Sequence, residues 1–319
     1  MNVTTTSTIY PRHISNRILK GDTYLYAHTY LEAGDYGIIA LDPGSSPGSS
    51  TMSVLGEFKL NNDRISDFCV YSDSRIAVRS DTMLHVLSFN GTSFRVLWSL
   101  KYKSKLNTGI ACNGSFAFVS CGDNIVSFDM STGKIAQKMN IPNSYYARGI
   151  YATDDYLFVR KCSIDFKKYK LAVYWINDSY AIGSQKNLTL IDEIDSPDFD
   201  MDLGRLSVDA SLNVIETGNT VHRVITFDGS FLTVVGELTP FYPALEFVKH
   251  GDYYFISPDR GLKVFSMAGT VLTKLYETES NTKFSSYRCP GFSPYAFFSS
   301  RDIPGDVIGR NISKNLISP

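Results

Sequence analysis

The chain has 319 residues, 43% of them hydrophobic and 13% aromatic, with a formal net charge of -1. That composition supports a packed core, and the balance of 31 basic against 32 acidic residues gives no global attraction to nucleic acid or to an anionic membrane, so any charged partner has to be read locally. The opening MNVTTTSTIYPRHISNR has no apolar core of signal-peptide length, and nowhere do eighteen apolar residues run together, as a membrane-spanning helix requires.

From residue 12 onward, short alternating runs are separated by Gly, Asp, Asn and Ser, the pattern of strands joined by tight turns. The first group reads ISNRILK, the turn Lys20-Gly21-Asp22, Tyr24-Leu25-Tyr26, then GIIALDPG and SVLGEFKL. The second is ISDFCVY, Ser72-Asp73-Ser74, Ile76-Ala77-Val78, LHVLSFNG and FRVLWSL. NTGIACN, Asn113-Gly114, Phe116-Ala117-Phe118 and NIVSFDMSTG open the third; ARGIYAT, Thr153-Asp154-Asp155, Tyr156-Leu157-Phe158 and LAVYWIND open the fourth. GRLSVDA, Asp209-Ala210-Ser211, Leu212-Asn213-Val214, HRVITFDG and FLTVVGEL make the fifth. ALEFVKH, His250-Gly251-Asp252, Tyr253-Tyr254-Phe255 and LKVFSMAG follow, and the last group holds Phe292-Ser293-Pro294, Tyr295-Ala296-Phe297 and DVIGRNIS.

The second strands begin at 24, 76, 116, 156, 212, 253 and 295, so four of the six intervals sit near 40 residues and two carry insertions. A four-stranded meander, a-b-c-d, repeated at that spacing predicts an all-β, seven-bladed β-propeller of antiparallel blades occupying residues 1–319 as one domain. The blades are expected at about 12–60, 61–101, 102–141, 142–193, 194–239, 240–278 and 279–319. SKNLISP makes a poor final strand, so the N-terminal segment 4–10, TTTSTIY, is expected to complete the last blade and remove its open edge. VSFDMSTGKI, a strand followed by Asp, a turn and Gly-Lys, resembles the repeats of the β-propeller superfamily of WD-repeat, YVTN-type and PQQ-like proteins. No blade ends in Trp-Asp or carries Gly-His, and only Trp98 and Trp175 exist to fill PQQ-like tryptophan positions, so the resemblance is to the fold and implies no activity.

In such a meander the b–c and d–a connections share one face. There the sequence places TYLEAGD with Tyr30, PNSYY with Tyr145 and Tyr146, and KCSIDFKKYK with Lys161, Lys167, Lys168 and Tyr169; TPFYP adds Phe241 and Tyr242. Aromatic and charged loops of this kind point to a protein or peptide partner. Asp67, Arg148, Arg205, Glu246 and Arg288, on the inner a-strands, are expected at the channel mouth, either pairing with one another or binding a ligand.

Catalytic chemistry is hard to find. There is no P-loop, HExxH or CxxC, and the five histidines fall in different strands and turns, His28 alone ending a b-strand on the loop-rich face. Asp198, Asp200 and Asp202 give D-x-D-x-D, but Leu203 stands where a calcium loop needs glycine, and neither metal nor cofactor is expected. KYKSKL and FKKYK interleave lysines with aromatics, yet the acidic run from Asp192 to Asp202 lies beside them, a mixed field that suits a protein better than nucleic acid. Five cysteines without metal or disulfide spacing suggest a reducing, cytoplasmic setting; six Asn-x-Ser/Thr sequons keep open a secreted or virion-surface attachment role. The expected function is a non-enzymatic interaction module, with a channel-mouth enzyme or glycan-binding site as the alternative.

Overall fold

A computed structural model describes residues 13–30, 35–42, 53–102, 109–142, 144–177, 188–198, 206–218, 220–238, 244–250, 253–258, 263–277, 284–285, 295–300 and 307–311. Among them every regular element is a strand, and the strands form antiparallel sheets strictly in chain order. The first sheet comprises β1 (His13–Lys20), β2 (Leu25–Tyr30), β3 (Asp35–Asp42) and β4 (Ser53–Asn61); the second, β5 (Ile65–Ser72), β6 (Arg75–Ser80), β7 (Met83–Phe89) and β8 (Phe94–Lys101). β9 (Ile110–Cys112), β10 (Phe116–Ser120), β11 (Asn124–Asp129) and β12 (Ile135–Asn140) make the third. The fourth holds β13 (Tyr145–Ala152), β14 (Tyr156–Ser163), β15 (Tyr169–Ile176) and β16 (Leu188–Asp195). β17 (Leu206–Val208), β18 (Asn213–Glu216), β19 (His222–Phe227) and β20 (Leu232–Leu238) form the fifth, and β21 (Ala244–His250), β22 (Tyr253–Pro258), β23 (Lys263–Ala268) and β24 (Val271–Glu277) the sixth. β25 (Phe284–Ser285), β26 (Tyr295–Ser300) and β27 (Val307–Asn311) are the described strands of the last sheet, and the segment 4–10 expected to complete it lies outside the described residues.

Local chemistry explains the meanders. Three c–d turns are built alike: Asn90 Oδ1 accepts from the amides of Thr92 and Ser93, Asp129 Oδ1 from Ser131 and Thr132, and Asp228 Oδ1 from Ser230 and Phe231, all at 2.8–3.1 Å. A short acceptor at the first turn position offers the backbone an alternative to the ladder, and the strand stops there.

The middle strands are buried on both faces, which is why β10 (FAFVS) is wholly buried. Phe116 and Phe118 pack toward Leu157 and Val159 of the fourth sheet, while Ala117 and Val119 pack toward Ala77 and Val86 of the second. Phe158 and Val173 then meet Val214 and Ile225 of the fifth sheet, whose Ile215 and Val224 meet Tyr254 and Phe265 of the sixth. Each fully buried Phe or Leu contributes about 1.5–3 kcal/mol, so the sheet-to-sheet clusters are the main source of stability.

First strands of successive sheets are neighbours: β1 lies beside β5, β5 beside β9, β9 beside β13, β13 beside β17 and β17 beside β21, while β25 touches β22 and β26 touches β1. Polar latches cross between sheets. Tyr26 OH donates to Asp73 Oδ1 at 2.8 Å, Trp98 Nε1 to the Met130 carbonyl at 2.8 Å, Asn113 Nδ2 to the Asp154 carbonyl at 3.0 Å, and the Leu232 amide to Asp192 Oδ2 at 2.8 Å.

Candidate functional site

The fourth sheet carries seven of the fourteen site residues expected from the sequence. Its β14–β15 connection is fixed from within. Ser163 Oγ donates to Asp165 Oδ1 at 2.5 Å and accepts from the amides of Lys167 and Lys168 at 3.1 and 2.9 Å. The Ser163 amide donates to the Lys168 carbonyl, the Phe166 amide to the Ser163 carbonyl, and Tyr169 OH to the Phe166 carbonyl at 3.0 Å. The hydrogen bond from Ser163 is the largest influence on Asp165 and holds its carboxyl below the ordinary range. A hydroxyl that closes two amides and one carboxylate leaves the loop little freedom.

This fixed loop presents apolar side chains to solvent. Ile164 is 52% and Phe166 44% exposed, and Lys167 and Lys168 are exposed beside them. Phe166 has φ 57°, a left-handed conformation that a bulky residue adopts only when its surroundings impose it. The ring held out in this way lies 5.9 Å from the Arg148 guanidinium, which also lies 5.8 Å from the Tyr146 ring. Arg148 is the bulged residue of β13, since Ala147 pairs with Lys161 and Gly149 with Arg160. Bulges of this kind re-aim a side chain out of the alternation of the strand.

Lys161 behaves differently from the sequence expectation. It is 2% exposed and shares Glu193 with Lys170: Lys161 Nζ contacts Oε2 and Lys170 Nζ donates to Oε1 at 2.6 Å. Both ammonium groups lie over the Tyr145 ring, at 5.9 and 5.8 Å. Burial pushes the Glu193 carboxyl up, but the two lysine hydrogen bonds outweigh it and the net shift is downward; the same bond to Glu193 raises Lys170. Lys161 is therefore held beneath the surface, while Tyr145 is half-buried beside it.

The remaining expected residues are dispersed. Asp67 Oδ2 accepts from the Ile110 amide of the next sheet at 3.1 Å and Oδ1 from the Phe68 amide at 3.0 Å, so this carboxylate joins two sheets. Tyr30 ends β2 opposite Tyr36, and Glu246 sits in β21 opposite Ser257. Arg205, Phe241, Tyr242 and Arg288 lie outside the described residues. His28 stacks on Tyr36 with ring centroids 6.4 Å apart. Among the described residues no three His, Cys, Asp or Glu side chains are grouped to hold a metal ion.

One charged cluster was not anticipated. Arg160 and Glu216, both fully buried, meet between the fourth and fifth sheets with Nε 3.2 Å from Oε1. Arg160 also donates to the Thr217 carbonyl at 2.7 Å, and Ser196 Oγ donates to Glu216 Oε1 at 2.7 Å. Burial pushes Arg160 down to about 10 against the pull of Glu216, raises Glu216 against the pull of Arg160, and, with repulsion from Arg160, lowers the adjacent His222 to about 4. These residues close the fourth-to-fifth sheet junction beneath the same rim.

The fold and the rim define an all-β protein of repeated four-stranded antiparallel sheets, with a fixed cationic and aromatic projection on the fourth. Compared with known proteins, the chain matches no family model and no curated sequence.

Proposed function

We propose that the sheets close into one seven-bladed β-propeller that acts as a non-enzymatic interaction module and binds a protein partner on the rim carrying the b–c and d–a connections. The succession of neighbouring first strands and the approach of β26 to β1 support closure, because only a radial stack brings the first and last sheets together. The observation that carries the functional reading is the β14–β15 loop, which presents Ile164 and Phe166 to water on a turn closed by the hydrogen bonds of Ser163 and Tyr169. Exposed aromatic and aliphatic side chains on a preorganised frame bind with little loss of conformational entropy.

The enzyme alternative receives no support from Asp67, whose carboxylate is engaged by two backbone amides. Of the sequons, Asn113 has no room for a glycan, being 1% exposed, donating to the Asp154 carbonyl and accepting from the Ser115 and Phe116 amides, whereas Asn90 is exposed. Cys69, Cys112, Cys121 and Cys162 are free thiols, in keeping with a cytoplasmic setting.

The test is a comparative pull-down from the native source with the wild-type chain and a Phe166→Ala/Lys167→Ala/Lys168→Ala variant. A stoichiometric partner held by the wild type and lost from a variant of unchanged melting temperature supports the reading. Identical partners on both would overturn it.

A further inference from the structure

Resting on that reading, we propose that the partner offers an acidic linear segment, one of whose carboxylates is taken by Arg148 while an adjacent apolar side chain packs on Phe166 and Ile164. The cations of this rim divide into two groups. Lys161 and Lys170 are engaged by Glu193, Arg160 by Glu216, and Arg223 by Glu237 at 2.7 Å. Arg148 has no carboxylate partner among the described residues, and its Nε is shut off from water with no hydrogen-bond acceptor.

The strand bulge sets where Arg148 leaves β13, and the Tyr146 and Phe166 rings lie 5.8 and 5.9 Å from its guanidinium. A guanidinium beside aromatic rings presents its two terminal nitrogens as a planar fork, and a carboxylate matches that fork. The exposed Lys167 and Lys168 extend the positive field toward a second acidic residue, and Phe166 with Ile164 supplies apolar contact next to it.

The same surroundings argue against nucleic acid. Asp165 stands within the loop, Asp195 is exposed at the end of β16 and Asp198 follows it, so a polyanion laid across the rim would meet three carboxylates for the three available cations. A peptide can set one or two carboxylates on Arg148 and the lysines and turn neutral residues toward the aspartates. A phosphoryl group would also match the fork, but it would bring a second negative charge to a loop that already carries Asp165.

The experiment pans a random dodecapeptide phage library against the full chain and measures the best-enriched peptide, synthesised with a fluorophore, by anisotropy. The expected peptide carries Asp or Glu beside an aliphatic or aromatic residue and binds Arg148→Gln about tenfold or more weakly, with Arg148→Lys only partly restoring affinity. Replacing its acidic residue by the amide should cost the wild type the same factor and cost Arg148→Gln nothing further; the first of these readings stands even if Arg148→Gln fails to fold. A phosphoserine version of the peptide that binds more tightly than the carboxylate version would overturn the carboxylate assignment, and displacement of the peptide by single-stranded oligothymidine would overturn the peptide in favour of nucleic acid. A neutral or basic consensus, or no enriched peptide, overturns the acidic segment while leaving a folded partner on the rim. Binding lost in the Phe166/Lys167/Lys168 variant but unchanged in Arg148→Gln overturns this inference alone, and binding unchanged in both overturns the rim as well.

Discussion

Replacing Glu216 by alanine should destabilise the chain more than any exposed substitution, and the geometry sets the scale. Arg160 is fully buried with Nε 3.2 Å from Glu216 Oε1, a gross attraction of about 5 kcal/mol at an effective dielectric near 20. Removing the carboxylate leaves Arg160 charged, buried and held chiefly by the Thr217 carbonyl at 2.7 Å, with Ser196 Oγ and the Pro197 carbonyl more distant at 3.4 Å. Orphaning one member of a buried pair costs about 3–5 kcal/mol, which for a chain of this length corresponds to a fall in melting temperature of about 6 °C. Urea unfolding followed by tryptophan fluorescence and by far-ultraviolet circular dichroism measures it, with coincident transitions as the check on cooperativity. An Arg160→Met/Glu216→Met double variant removes both charges and should recover most of the loss. A double variant as unstable as Glu216→Ala would refute the reasoning, because the loss would then come from packing and not from an unpaired charge.

Three further outcomes follow from other features of the structure. Since burial and Arg160 hold His222 at about 4, below the ordinary value near 6.5, its contribution to stability is intact above about pH 6.5 and is lost as pH falls toward 4. Glu216, shifted upward, acts in the opposite sense, so the comparison is with His222→Gln: the wild type should lose up to about 3 kcal/mol relative to that variant across this window, read from denaturant midpoints at each pH. Gly133→Ala should cost about 1–3 kcal/mol, because φ is 72° and the added Cβ would stand 2.9 Å from the Trp98 ring. Gly269→Ala, at φ 59° with nothing within 4 Å, should cost about 1 kcal/mol; equal losses would show that the ring contact is immaterial. Asp73→Ala strands the buried Tyr26 hydroxyl and should cost about 1–3 kcal/mol, with much of that cost absent when Tyr26 is already Phe.

The meanders were legible because two local rules agree at each turn. Phe116 to Val119 and Ile125 to Phe128 alternate between two buried faces, and Asn90, Asp129 and Asp228 stop strands with side-chain acceptors, so both strand and turn are written within ten residues of sequence. The β14–β15 loop was legible only in composition. Lys161 and Lys168 look alike in the sequence, yet one is buried on Glu193, a residue of another strand, and the other is exposed, because which face a lysine occupies depends on register and on its cross-strand neighbour. The aim of Arg148 depends on a bulge, which inserts a residue without leaving a local mark. The Arg160–Glu216 pair joins different sheets, and nothing near either residue announces the other.

The central claim is that the partner sits on the rim at the β14–β15 loop, and site-specific photocrosslinking tests it most directly. A benzophenone-bearing phenylalanine analogue is placed at position 166 in one sample and at position 231 in another. Phe231, 66% exposed in the c–d turn of the fifth sheet, belongs to the opposite rim and controls for mere exposure. Irradiation with native extract should give a discrete adduct from position 166 and none from 231. An adduct from 231 alone would contradict the account.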